Sequence, residues 1–278
     1  MTKVSHRPSG FTLIELAMVL FIVSMLIGGL LLPLSAQYEL GGRQETEKAL
    51  ANIREALIGF AMVNGRLPCP AVASIPSGTA VSGLEAGREA TTPAGANGPC
   101  ACDTSPTSGV AGIVGAGAVA CSVANPDTDS VGGVLPWATL GLPETDAWGH
   151  RYTYRVTSQF ARLPTGQTTF GPACSPPATV LNAAFALCSI GPISVSTAAV
   201  GGIAVASNVP AIVVSHGKNG LGARSPTGNI DAVATAADEV ENADNNNSLV
   251  SSAGIDDHLL WIPTGVLMGR MIAAGKLP

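Results

Sequence analysis

The sequence predicts an α+β fold: a long N-terminal α-helix, transmembrane in its first half, packed on a small antiparallel β-sheet head with long loops. Three observations predict it. Leu16 to Tyr38 contains no charged side chain, and so long an apolar run enters hydrocarbon as a helix, which satisfies its own backbone. Leu50, Ile53, Leu57 and Phe60 fall at spacings of three, four and three, the period of a helix with one apolar face. Tyr152, Tyr154 and Val156 alternate with Arg151, Thr153, Arg155 and Thr157, the period of a half-buried strand.

Residues 1–10 form a short leader in which Lys3, His6 and Arg7 supply the basic character. A basic flank stays in the cytoplasm, so everything after Tyr38 is expected outside. Residues 11–36 are the apolar membrane helix. Glu15 lies one turn into it, and a carboxylate at the middle of a membrane helix costs about 3 kcal/mol on insertion scales. Nearer the helix start the cost is lower, yet the acid still calls for a partner or for the positive end of the helix dipole. Residues 37–64 continue the helix with a single apolar stripe, Arg43, Glu47, Arg54 and Glu55 occupying other faces. From Phe11 to Asn64 the rise of about 1.5 Å per residue gives about 80 Å. Pro33 removes a backbone donor and Gly41-Gly42 raises the entropy cost of staying helical, so a bend or local melting is expected there.

Asn64-Gly65 and the run Arg66-Leu67-Pro68-Cys69-Pro70 end the helix, and residues 65–278 form the head. Val72 to Val134 is dominated by Ala, Gly, Ser, Thr and Pro and reads as long loops. Order returns at Leu135-Pro136-Trp137; Asp146-Ala147-Trp148-Gly149 reads as a turn before the strand from Arg151. Further strands are expected at 202–207, 211–215 and 258–262, and a short helix at 264–275 with Thr264 as its cap. Trp137, Trp148 and Trp261 are expected in the core. The six cysteines, Cys69, Cys100, Cys102, Cys121, Cys174 and Cys188, all lie beyond the apolar run. In an oxidising compartment they are disulfide candidates, with Cys174 and Cys188 a reasonable local pair. Neither a CxxC nor a common zinc-knuckle spacing occurs.

Gly10-Phe11-Thr12-Leu13-Ile14-Glu15, placed between the basic leader and the apolar run, closely resembles the prepilin cleavage and N-methylation motif of type IV pilins and type II secretion pseudopilins. The resemblance implies a pilin-like fold, cleavage by a prepilin peptidase between Gly10 and Phe11, and methylation of the new N-terminal Phe11. It also implies that Glu15 pairs with the N-terminal amine of a neighbouring subunit and so sets axial register in a filament. The partners it implies are the peptidase and methylase, other pilin or pseudopilin subunits, an inner-membrane platform protein and an assembly ATPase. The chain would then be a single-pass protein of the bacterial inner membrane with a periplasmic head, extracted into a pilus or pseudopilus. Asp146-Ala-Trp148-Gly149-His-Arg-Tyr152-Thr-Tyr154 is similar to a Trp-Gly element of major pseudopilins, with alanine where that turn has proline. Ser215-His216-Gly217-Lys218-Asn219-Gly220, with Glu241-Asn242-Ala243-Asp244 after a longer insertion, resembles their Gly-rich acidic loop, which binds calcium. Calcium takes six to eight oxygens from flexible loops, and Asp238, Glu241 and Asp244 are the candidate ligands here.

Composition narrows the function. The formal net charge is −5 and charged residues make up only 12%, with no basic stripe interleaved with aromatics, so nucleic acid is not an expected partner. No HExxH, GxSxG, GxGxxG or Walker-type phosphate loop is present, which leaves His150, His216 and His258 without a metal-protease spacing and Ser215, His216 and Asp257 without a nucleophile motif. A structural subunit, not an enzyme, is the expected class. The chain after residue 10 is long for a major subunit, which favours a minor one. The alternative is a binding module or hydrolase held outside the membrane by an uncleaved anchor.

Overall fold

The computed structural model describes residues 12–81, 84–91, 100–102, 119–120, 130–164, 174, 182–244 and 246–277; side chains at 28–36, 101–102 and 119–120 lie outside that description. Gly10, Phe11, the leader and Cys121 therefore fall outside the described residues, as does the side chain of Cys102. The chain divides into two compact units, Met1–Arg43 and Gln44–Pro278.

In the first unit the backbone is helical from Leu13, the start of α1 (Leu13–Asn64). The helix is assigned without interruption through Pro33 and Gly41-Gly42, so no melting appears at either expected weak point. Within this unit the described large apolar side chains, Leu13, Ile14, Leu16, Met18, Leu20, Phe21 and Met25 among them, are all exposed. Among the described residues no helix is long and apolar enough to cross a membrane.

The second unit holds the last turns of α1 and the head. In chain order its elements are β1 (Ala80–Val81), β2 (Leu84–Glu85), β3 (Ala101–Cys102), β4 (Val119–Ala120), β5 (Ser130–Val134), α2 (Trp137–Leu140), β6 (Thr153–Thr157), α3 (Ser158–Ala161), β7 (Ile193–Ser196), β8 (Ala204–Val209), β9 (Ala211–Ser215), α4 (Ala237–Ala243), β10 (Ser248–Val250), β11 (His258–Trp261) and α5 (Thr264–Ala273). The main sheet is antiparallel, in the order β11-β9-β6-β5. A second sheet, β10-β7-β8, is mixed, because β10 runs parallel to β7.

Three layers follow from the side-chain pattern of β9, whose five residues are all buried. Ala211 and Val213 face a core shared with Leu50, Ile53, Leu57 and Ala61 of α1 and with Leu267 and Met271 of α5. Ile212 and Val214 face the other way, against Ile193, Val195, Val209 and Leu249 of the second sheet. The central strands are thus covered on both faces, as a continuous apolar run requires.

The apolar stripe of α1 runs through Leu50, Ile53, Leu57, Ile58 and Ala61; Phe60, expected within it, is only half-buried, with the Arg66 guanidinium 5.4 Å from its ring. β6 is not the half-exposed strand that alternation suggested. Arg151, Arg155 and Thr157 are buried like Tyr152, Tyr154 and Val156, because β6 is an inner strand and further layers cover its second face.

The 72–134 stretch, read as loops, contains β5 and two short strand pairs. β5 escapes a propensity reading because it carries Gly132-Gly133. The reason for Gly133 is close approach: a Cβ there would stand 2.6 Å from the Ala71 carbonyl oxygen and 2.9 Å from Pro70 Cβ. Ala71 crosses at that point and exchanges both backbone hydrogen bonds with Val134 at 2.9 and 3.0 Å.

β8 begins two residues later than expected, and β9 matches its expected bounds. Thr264 is not the cap of α5: Pro263 holds the N-cap position with no side-chain cap bond, and the Thr264 hydroxyl donates to the Asn208 carbonyl at 2.8 Å. Trp137 is buried; Trp148 and Trp261 are only half-buried. Disulfides join Cys69 to Cys100 and Cys174 to Cys188.

Candidate functional site

The residues singled out from sequence fall in two places: the start of α1, and the polar region where β9, α4 and the turn before β11 meet.

At the start of α1, the Thr12 hydroxyl accepts from the Glu15 backbone N–H at 3.4 Å. In return the Thr12 N–H and O–H donate to Glu15 Oε2 at 3.4 and 3.3 Å. This reciprocal arrangement is a capping box, which satisfies free amides of a first helical turn and places an acid at the positive end of the dipole. Sequence reasoning identified Glu15 but missed Thr12, although threonine three residues ahead of glutamate is the signature. All three contacts are long and exposed, so the carboxylate is held loosely and stays within reach of a cation. Leu13 and Ile14 beside it are 88% and 75% exposed, an apolar surface that water does not favour.

In the head, the Asp146-Ala-Trp148-Gly149 segment forms the expected turn. Asp146 Oδ1 accepts from the Trp148 and His150 amides, both at 3.0 Å, and Gly149 takes φ +90°, a conformation glycine adopts without strain. Asp146 Oδ2 accepts from the Ser215 hydroxyl at 2.6 Å. His150 Nδ1 bonds Asp231 Oδ2 at 2.7 Å, and Trp148 stacks on His258 with ring centroids 6.0 Å apart. Ser215 and His216 therefore have separate partners: the hydroxyl is committed to Asp146, and His216 Nε2 lies 2.9 Å from Thr153 Oγ1.

The acid-rich run after Ala236 is the helix α4, with Asp238 and Glu239 in its first turn. The three expected calcium ligands are not brought together. Asp238 Oδ1 accepts from the Ala199 amide at 2.9 Å, Glu241 Oε1 accepts weakly from Asn246 Nδ2 at 3.5 Å, and Asp244 accepts from the Asn246 amide at 3.1 Å. Among the described residues no group of three or more His, Cys, Asp or Glu can hold a metal ion.

Against α4 lies a polar cluster, buried at Glu239, Asn242, His216 and the Asp257 side chain and exposed at Asn219. Asn242 Nδ2 donates to Asp257 Oδ2 at 2.7 Å, Asn219 Nδ2 donates to Glu239 Oε1 at 2.8 Å, and the Asn219 amide donates to Asp256 Oδ2 at 2.9 Å. Burial, followed by the nearness of His150, lowers the His216 imidazole to about 4. Burial raises the Asp257 carboxyl to about 7, Asn242 pulling it down and Asp256 and Glu239 pushing it further up. The cluster's members come from three separate segments, two of which, 215–220 and 241–244, the resemblance had already paired.

Residues 5–31 match the family model described as the prokaryotic N-terminal methylation motif, the signature shared by type IV pilins and pseudopilins. No curated protein and no solved structure is significantly similar to the chain.

Proposed function

We propose that this chain is a prepilin, cut between Gly10 and Phe11, methylated at Phe11 and assembled through its apolar N-terminal helix as a minor subunit of a type II secretion pseudopilus or a type IV pilus. The observation that carries the reading is the methylation motif at residues 5–31, continued by an exposed apolar helix whose early acid is Glu15. The driving force is apolar: side-by-side packing of such helices covers Leu13, Ile14, Leu16 and their neighbours once a subunit leaves the lipid. Glu15 gives up its long contacts to Thr12 and gains the N-terminal amine of the adjoining subunit, a charge-assisted bond in an apolar setting. The head lies in the periplasm, the leader faces the cytoplasm, and an inner-membrane platform with its ATPase supplies the work of extraction.

Intact-mass measurement of the membrane form tests the proposal. The expected product begins at Phe11 and carries one added methyl group, and it requires a co-expressed prepilin peptidase. A chain that keeps Met1, or one cut after Ala36, would remove the basis of the reading.

A further inference from the structure

The register of β11 on β9, with His258 opposite Ser215, brings His216 beside Asp257. Both side chains are fully buried, and His216 Nδ1 stands 3.8 Å from Asp257 Oδ1. Neither of these two atoms has a hydrogen-bond partner, and their separation is too long for one. The other polar atom of each is committed, Nε2 to Thr153 and Oδ2 to Asn242. Ionising both groups would therefore bury two charges with no direct bond between them, which desolvation opposes strongly. Of the neighbours, Asp256 and Glu239 face Asp257 and favour its neutral acid and His150 opposes a charge on His216, while Asp256 and the Leu221 backbone favour that charge but do not outweigh burial.

We propose that His216 and Asp257 form a pH-compensating lock at the junction of β9, α4 and β11: in the folded head the pair holds one proton, on the carboxyl, and unfolding hands it to the imidazole. The shifts described above support this. Folded, the imidazole lies near 4 and the carboxyl near 7; their ordinary values are 6.5 and 3.8. Between about pH 4 and 6.5 the folded pair carries its proton on Asp257 and the unfolded pair carries one on His216. No net proton is exchanged, so the pair adds no pH slope to stability there.

Each residue alone has a slope. His216 is a base with a depressed folded value, so the unfolded chain binds more protons between about pH 4 and 6.5 and stability is lost on acidification. Asp257 is an acid with a raised folded value, so the folded chain binds more protons between about pH 4 and 7 and stability is lost as pH rises. The lock cancels one against the other, which suits a head that meets an environment of uncontrolled pH.

The test is urea unfolding of the full chain in detergent from pH 4 to 7.5, for the wild type, Asp257→Asn, His216→Gln and the double variant. Wild type and double variant should run parallel. Relative to them, Asp257→Asn should lose folding constant on acidification, on the order of 10²-fold between pH 6.5 and 4, and His216→Gln should lose a similar factor in the opposite direction. Either single variant running parallel to the wild type would overturn the proposal. Should a single variant fail to fold, the wild type decides: long-range nitrogen NMR showing a neutral His216 ring at about pH 5 supports the lock, and an imidazolium there overturns it.

Discussion

Arg151 offers the sharpest test of what holds the head together. Its side chain is fully buried and makes five hydrogen bonds: to Glu144 Oε1 at 2.7 Å, the Ala73 and Ile75 carbonyls at 2.9 and 3.0 Å, Ser77 Oγ at 3.0 Å and the Pro226 carbonyl at 3.1 Å. Its guanidinium also lies 4.7 Å from the Trp137 ring centroid. Arg151→Met keeps much of the stem and removes every donor. Two buried carbonyls lose their partner at about 1–3 kcal/mol each, Glu144 loses its cation, and the ring contact contributes about 1 kcal/mol more. A total of about 4 kcal/mol follows, in the range for breaking a buried ion pair. At about 2–4 °C per kcal/mol for a unit of this size, Tm should fall by about 10 °C. Arg151→Lys keeps the charge but cannot span five acceptors, and should lose roughly half as much. Tryptophan fluorescence on heating the detergent-solubilised chain reads both. A fall below about 2 °C for Arg151→Met would show that water replaces the guanidinium freely and that the network is decoration.

Gly133→Ala should destabilise the head by about 2 kcal/mol, the cost of a side chain forced against fixed backbone, and should raise hydrogen exchange at the Ala71 and Val134 amides; unchanged exchange there would refute the close approach. Glu15→Ala should leave membrane insertion intact while lowering recovery in sheared filaments by on the order of tenfold, equivalent to about 1.4 kcal/mol, and equal recovery would strip Glu15 of its role. Thr12→Val removes only the cap, worth about 1 kcal/mol, so it should fray the first turn, seen as faster amide exchange at Glu15 and Leu16, with far less effect on incorporation.

What could be read in advance was what repeats locally. The spacing of Leu50, Ile53 and Leu57 announces the buried face of α1, and the unbroken Ala211–Val214 run announces β9 with correct bounds. The failures share a physical cause, namely that distant chain decides them. Gly132-Gly133 disfavours a strand until Ala71 lies across it. Arg155 looks solvent-facing until Ser130 and a second sheet cover it, its Nη1 donating to Ser130 Oγ at 2.6 Å. Ser194 meets Ser248 in a parallel pair that no periodicity marks. The acids around Glu241 read as a flexible loop, whereas they belong to the helix α4, with Asp238 and Glu239 in its first turn and Glu239 and Asn242 buried. At the N-terminus the reverse holds: both halves of the Thr12–Glu15 cap stand within four consecutive residues, and no distant chain is needed to form it.

The Cys69–Cys100 bridge has a consequence for when the head matures. Both residues belong to the principal core, 0% and 3% exposed, and they close a covalent ring across a sequence separation of 31, a constraint worth about 3–4 kcal/mol against the denatured ensemble. In a chain exported as proposed, the cytosol keeps those thiols reduced and the periplasm oxidises them. Oxidants reach sulfur only before the interior seals, so crosslinking and collapse must occur together, after translocation. Compartment chemistry thereby times the last step of folding, and premature consolidation on the wrong side is disfavoured by the same pair that later secures the finished domain.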